Sequence, residues 1–233
     1  MKAIFVLVFS GIRRKKVQMG VFAAGCFLCS FFLLGMFVLN FTLDLSFDTA
    51  YGKLGAPNMN AGIQETKVSE DSLEGFLGGL AYLQSYRISK CYLVNNVSLP
   101  GRNMDFAFMA TSAGLEPEEG GVIVNNAVYG VNPGDEIEVF INGRSISLRV
   151  DFVVEDAVNS APESMIPYFW IGRSELEALT EGYGKGSYLI EMQADNAEKG
   201  AEWFLTDYEK YYGQPFDGDF KSYRDIKRSY LFG

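Results

Sequence analysis

The rhythm of hydrophobic and polar positions changes three times along the chain. From Ala3 to Phe9 every residue is apolar, and Ser10-Gly11-Ile12 then leads into four consecutive basic residues, Arg13, Arg14, Lys15 and Lys16. A run this short cannot cross a bilayer, so it predicts a helix lying at a membrane surface, with the basic residues at headgroup level. Residues 17–43 carry no charge, and only mild polar residues such as Gln18, Ser30, Asn40 and Thr42 interrupt them. At about 1.5 Å rise per residue, roughly 20 helical residues cross the hydrocarbon layer. This stretch therefore predicts one transmembrane helix. The helical pattern runs on through 44–51 and should stop near Gly55-Ala56-Pro57-Asn58, because proline disfavours helical geometry in the residue before it.

Beyond that point apolar positions recur at helix and strand periods in turn. Ser69 is placed to cap a helix over 70–85, in which Leu73, Phe76, Leu77, Leu80 and Leu83 form one stripe. Gly75, Gly78 and Gly79 weaken that helix by up to about 1 kcal/mol each relative to Ala. Strands are expected over 87–97 and 104–111. A hairpin is expected at Asn142-Gly143, since Ile137, Val139 and Ile141 alternate before it and Ile146, Leu148, Val150, Phe152 and Val154 after it. A strand at 168–171, a helix opened by a capping box from Ser174 to Glu177, a strand at 187–193 and a helix at 197–212 follow. The fold class is α+β: a membrane-spanning helix, then an extracytoplasmic domain with a mixed or antiparallel sheet and packed helices. The expected organisation is 1–16 inside, 17–43 across and 44–233 outside.

Charge fixes the direction. Of the chain's 20 Lys and Arg, five lie in residues 1–16, which leaves 15 against all 29 acidic residues in 44–233, a net −14. The positive-inside rule puts Arg13, Arg14, Lys15 and Lys16 in the cytoplasm. A cleaved signal peptide has an apolar core of about 7–15 residues and a small-residue cleavage site. This run is longer and ends in Leu39-Asn40-Phe41-Thr42-Leu43, so an uncleaved anchor is expected at the cell membrane. The acidic bulk argues against a nucleic-acid partner.

Candidate chemistry is sparse. The chain has no His, which removes Ser-His-Asp triads, Cys-His pairs and His-based zinc sites. Of the 3 Cys, Cys26 and Cys29 fall within the span, and Cys91 sits in a strand-like run that reads as core. There is no Walker A pattern; Tyr183-Gly184-Lys185-Gly186-Ser187 lacks its spacing. Glu116-Pro117-Glu118-Glu119 lacks the fixed alternate oxygens of a hard-cation site and reads as a solvated loop. In Met104-Asp105-Phe106-Ala107-Phe108-Met109, alternation sets Phe106 and Phe108 against Asp105, Ala107 and Met109. A packed sheet explains this better than the wall of a cleft for an apolar substrate. Trp170, Trp203, Tyr208, Tyr211 and Tyr212 likewise read as packing residues. Asn40-Phe41-Thr42 and Asn96-Val97-Ser98 match a glycosylation acceptor, which a bacterial origin would make irrelevant. No catalytic, cofactor-binding or metal-ligating residue is predicted.

Two further segments carry a family resemblance. Asp48-Thr49-Ala50-Tyr51-Gly52-Lys53-Leu54-Gly55-Ala56-Pro57 follows the span. Gly121-Val122-Ile123-Val124-Asn125 is followed by Gly130-Val131-Asn132-Pro133-Gly134-Asp135-Glu136-Ile137-Glu138-Val139. With the inner helix, basic cluster and long span, they resemble the first transmembrane helix and extracytoplasmic domain of FtsX-like/MacB-like ABC transporter permeases. That family often shows F-D-x-x-Y-x-K-L-x-A-P after the first span, and a strand and short helix before L-x-x-G-D-x-I-x-V. The strand from Val150 to Glu155 is similar to the family's V-x-G-I-V-x-D, with Val154 where Gly or a neighbouring residue is usual. The physical role of Gly134 and Asp135 is a tight turn in which Asp bonds nearby backbone N–H groups.

The resemblance implies a permease subunit without catalysis or cofactor of its own. Its implied partners are a cytoplasmic ABC ATP-binding subunit, a second permease subunit or a second copy, and the lipid bilayer. Family members usually carry at least three more transmembrane helices after this domain. None follows here, so the sequence reads as the N-terminal part of a permease. The alternatives are a single-span anchored binding or sensor protein and, less well supported, an anchored hydrolase using paired carboxylates.

Overall fold

The computed structural model describes residues 16–111, 116–141, 143–156, 166–182 and 186–232. The chain divides into two compact units, residues 1–49 and 50–233. The expected surface helix near the N-terminus and Arg13, Arg14 and Lys15 lie outside the described residues.

Helix α1 spans Lys16–Leu54. Its stretch Gly20–Lys53 is long and apolar enough to cross a membrane. Apolar residues are spread around its whole circumference and are exposed, Phe27 at 70% and Leu33 at 68%. A continuous apolar surface of this kind suits lipid rather than water. Thr42 and Thr49 donate their hydroxyls to the carbonyls of Val38 and Leu45, each at 2.8 Å, so neither side chain leaves a donor unmet.

The second unit is built on a nine-stranded mixed sheet. In chain order come β1 (Met59–Gln64), α2 (Glu70–Gly78), β2 (Leu83–Leu99), β3 (Arg102–Thr111), β4 (Gly121–Asn125), β5 (Glu136–Ile141) and β6 (Arg144–Val154). Then follow β7 (Tyr168–Ile171), α3 (Arg173–Thr180), β8 (Ser187–Ala194), α4 (Ala197–Tyr212), β9 (Asp219–Ser222) and α5 (Tyr223–Phe232). The spatial order is β3-β7-β4-β6-β5-β2-β8-β1-β9, and β2 also pairs with β3. Those pairings close β3, β7, β4, β6, β5 and β2 into a ring, from which β8, β1 and β9 extend as an open wing. The pairs β3–β7 and β4–β6 are parallel and the others antiparallel. The fold is α+β, as the alternating periods predict.

Each part has its own core. Val94, Val97, Met109, Val124, Ile137, Val139, Ile141, Leu148, Val150 and Phe169 fill the ring. Met59, Ala61, Ile63, Ile190 and Met192 form one face of the wing, against Leu73, Phe76 and Leu77 of α2 and Phe204 and Tyr208 of α4. Phe76 is the hub of that second core. Its ring centroid lies 5.7 Å from Phe204, 5.6 Å from Tyr208, 5.3 Å from Tyr211 and 5.6 Å from Tyr212. Edge-on and tilted pairs at such distances add about 0.5–1.5 kcal/mol each to simple burial.

Several expectations are corrected. Helix α2 is capped by Ser69, whose hydroxyl accepts from Ser72 N at 3.3 Å, but it ends at Gly78 instead of continuing to 85. The N–H of Gly79 closes the helix onto Phe76 and Leu77, and the chain turns into β2 at Leu83. Consecutive glycines make a helix interior costly, and a turn lets Leu80 and Leu83 pack on the same core. The capping box at Ser174 does not form: α3 starts one residue earlier, behind Gly172, and has no side-chain cap. Residues 126–130 form turns, not a short helix, after β4. Alternation in β6 breaks after Val150. Val122 pairs with Val150 and Ile123 with Phe152, so Asp151 is an extra residue, and Phe152 is turned outward at 47% exposed. Strands β1 and β9 and helix α5 were not predicted; β1 and β9 are short, and Asn60 and Gly62 mask the period of β1.

Gly200 sits inside α4 where a Cβ would lie 2.7 Å from Ala194 Cβ and 3.0 Å from Met59 Sδ. Alanine is the better helix former, by about 1 kcal/mol, yet there is no room for it here. Gly200→Ala is therefore expected to lower the urea midpoint of the full chain in detergent, a net loss of about 1–2 kcal/mol.

Candidate functional site

Within the second unit, the stretch from Tyr51 to Asn58 is held by three residues. Gly55 takes φ +59, the left-handed region that glycine enters without strain. Tyr51 is buried, donates its hydroxyl to the Pro57 carbonyl and meets the Tyr223 ring edge-on at 5.6 Å. Asn58 substitutes its side chain for a strand. Its Nδ2 donates to Ala194 O and its Oδ1 accepts from Ala194 N, both at 2.8 Å, while its own N–H donates to Gln193 Oε1 at 3.1 Å. These bonds extend the ladder of β1 on β8 by one step before Met59 pairs with Met192. Sequence reading stopped the helix at this point but missed the clasp, because a lone Asn after Pro signals only a turn.

Gly134 and Asp135 stand at the mouth of β5. Gly134 has φ +93, and Asp135 Oδ2 accepts from Asn132 N at 2.8 Å. Gly134 N donates to Val150 O at 2.7 Å and Val150 N to Asp135 O at 2.8 Å, which lays the turn against β6. Asn125, at the end of the other resembling segment, is fully buried. Its Oδ1 accepts from Tyr168 N at 3.1 Å and its Nδ2 donates to Ile166 O at 2.9 Å, tying β4 to β7. Both ends of this second resembling segment thus serve as hydrogen-bonded joints within the ring. Lys16 is the first residue of α1 and lies far along the sequence from both.

The remaining candidates separate clearly. Glu118 pairs with Arg149, and its N–H donates to Asp151 Oδ2 at 2.7 Å, so the acidic loop is pinned to the β6 bulge. Among the described residues no three His, Cys, Asp or Glu side chains come together as a metal site. Cys91 is buried, and burial pushes its thiol up to about 12, which makes it a poor nucleophile. Phe106 faces outward while Ala107 and Met109 are buried, so β3 packs as a sheet strand. Tyr208 is core, Trp203 stacks tilted on Tyr82 at 5.3 Å, and Tyr211 is exposed beside Phe76. Residues 183–185 of the glycine-rich connection and Asn142 of the hairpin turn lie outside the described residues; Gly143 has φ +75.

Two ion pairs shape the electrostatics. Arg87 Nε donates to Glu191 Oε2 at 2.7 Å on the wing's outer face; burial raises the Glu191 carboxyl and Arg87 opposes that rise. Arg173 grips Glu70 with both terminal nitrogens, at 3.1 and 2.6 Å. Both residues open a helix, where a carboxylate is favoured and a guanidinium is not. Glu70 thus offsets the misplaced charge of Arg173 and joins α2 to α3.

Removing the Asn58 clasp leaves a buried backbone N–H and C=O of Ala194 without partners. Asn58→Ala should cost about 1–3 kcal/mol in chemical denaturation and speed amide exchange at Ala194. The Arg173 hydrogen bond holds the Glu70 carboxyl below the usual carboxylate range. Its contribution is complete above the unfolded value, about 4.3, and disappears as pH falls through the lower folded value. Glu70→Gln is expected to lower Tm by roughly 1–3 °C at pH 7. The gap to the unsubstituted protein should close as melts are repeated toward pH 3.

No family model matches this chain, and no curated protein matches it. Solved structures do. The periplasmic region of MacB from Actinobacillus actinomycetemcomitans is 14% identical, with a TM-score of 0.42, over 76% of this chain and 94% of that one. A domain assigned to a permease protein from Porphyromonas gingivalis is 9% identical, with a TM-score of 0.37, over 74% of this chain and 97% of that one. The chain is similar to both, and its sequence segments resemble the FtsX-like/MacB-like permeases.

Proposed function

We propose that the chain is the N-terminal, membrane-anchored part of an ABC transporter permease, with residues 1–16 cytoplasmic and the α+β unit outside. One arrangement carries this reading: a charge-free helix, entered through Arg13, Arg14, Lys15 and Lys16, ends in the family-like segment from Asp48 to Pro57. That segment runs into the α+β unit, where Tyr51 donates its hydroxyl to the Pro57 carbonyl and Asn58, the next residue, bonds to β8. The acidic outer surface and the basic inner flank give the orientation its sign.

In this role the chain performs no chemistry. A separate cytoplasmic subunit binds and hydrolyses ATP, and its closure reaches the outer unit through the membrane helices, as coupling between distinct sites. The outer unit grips or releases its cargo or partner beyond the membrane, and a second permease subunit or second copy completes the pathway.

The test is purification of the full-length product from its native membranes in mild detergent, followed by mass spectrometry and vanadate-sensitive ATPase assay. A subunit with a Walker A sequence should co-elute, with ATPase activity in the same fraction. Repeated recovery without any nucleotide-binding subunit would overturn the reading in favour of a single-span binding or sensor protein. Labelling of a Ser10→Cys variant by an impermeant maleimide added to intact cells would overturn the orientation.

A further inference from the structure

The wing's outer face, opposite α2 and α4, has a pattern of its own. Strand register sets Arg87, Glu191, Asn60 and Lys221 in one row across β2, β8, β1 and β9. The next row holds Ser89, Leu189, Gly62 and Asp219. Neighbouring side chains in such rows stand about 5 Å apart, and Gly62 contributes none. A hollow therefore opens between Leu189 and Asp219. It belongs to a cavity of about 740 Å³, walled on the ring side by Phe108 and Tyr168. That volume lies in the range of small-molecule sites, about 300–1,000 Å³.

Lys67 and Asp217, which also line the cavity, pair with each other, but three other polar groups there are unspent. Asn60 is only 5% exposed, yet its Oδ1 has no hydrogen-bond partner. Buried amide oxygens are nearly always bonded, so this one is out of place unless something arrives to use it. Asp219 and Lys221 share one side of the edge strand β9 and flank the hollow. Among the described residues neither enters an ion pair. A carboxylate, an ammonium and an unsatisfied amide oxygen thus converge on a pocket whose other wall is apolar and aromatic.

We propose that this cavity binds an α-amino acid with an apolar or aromatic side chain. The ligand's ammonium group is held by the Asp219 carboxylate and donates to Asn60 Oδ1. Its carboxylate accepts from Lys221 Nζ, and its side chain lies against Leu189, Phe108 and Tyr168. Opposite charges on one rim suit a zwitterion better than a neutral sugar or an anionic headgroup. The inference stands on the folded unit alone and holds whether or not the chain serves a transporter.

The experiment is calorimetric titration of the full chain in detergent micelles with three probes: L-phenylalanine, phenethylamine, which lacks the carboxylate, and 3-phenylpropionate, which lacks the ammonium. L-phenylalanine should bind saturably, with the other two at least about tenfold weaker. Asp219→Asn should weaken L-phenylalanine and phenethylamine about tenfold and leave 3-phenylpropionate unchanged; Lys221→Gln should weaken L-phenylalanine and 3-phenylpropionate about tenfold and leave phenethylamine unchanged. Gly62→Val should fill the hollow and abolish all three. Both rim substitutions are on an edge strand, and unchanged near-ultraviolet circular dichroism confirms the fold. No saturable heat with L-phenylalanine up to about 10 mM would overturn the proposal. So would 3-phenylpropionate binding as tightly as the amino acid, or affinities that neither rim substitution alters.

Discussion

Strand β2 is the constraint on which the second unit depends. Its first half pairs with β8 in the wing, and its second half pairs with β3 and β5 in the ring. One continuous strand must therefore offer side chains to two separate cores. The changeover comes at Cys91, which pairs with both β8 and β3. Ile88 before it packs on the wing core, while Val94 and Val97 after it fill the ring. Further on, the pairing with β5 slips between Asn95 and Val97, and Asn96 takes φ +57, left-handed geometry that asparagine tolerates better than most residues. The extra residue lets Val94 and Val97, three apart, face the same core.

Short amide and carboxylate side chains finish what backbone pairing leaves open. Asn58 prolongs β1, Asn125 ties β4 to β7, Asp135 closes the turn before β5, and Asp151 holds the loop that leads into β4. In each case the side chain supplies the bond that a neighbouring strand would otherwise provide. This explains how a sheet of mixed direction keeps its irregular joints inside the protein. It also explains why Glu118 of the acidic loop and the Gly-Asp step are architectural: Glu118 is committed to Arg149 and Asp151, and Asp135 to a backbone N–H.

How much of this was legible depended on the length of the signal. Helix α1 and the ladder of β5 on β6 were clear, because an uncharged run and strict alternation leave few other solutions. Helix α4 was equally plain, with Asn196 at its cap and Gly213 at its end. Helix α2 was overextended because Leu80 and Leu83 keep helical spacing while packing from a turn. The bulge at Asp151 was invisible, since one extra residue changes which face Phe152 takes without changing composition. The wing's outer row was beyond reach for another reason. Asn60, Glu191, Asp219 and Lys221 come from strands scattered along the chain, and only register brings them side by side.

The last strand lies beside the first, with Ser222 opposite Met59. Paired residues in an antiparallel ladder stand about 5 Å apart. The strands that open and close the folded unit thus seal one another at a single margin, so freeing either would strip its neighbour of a ladder partner.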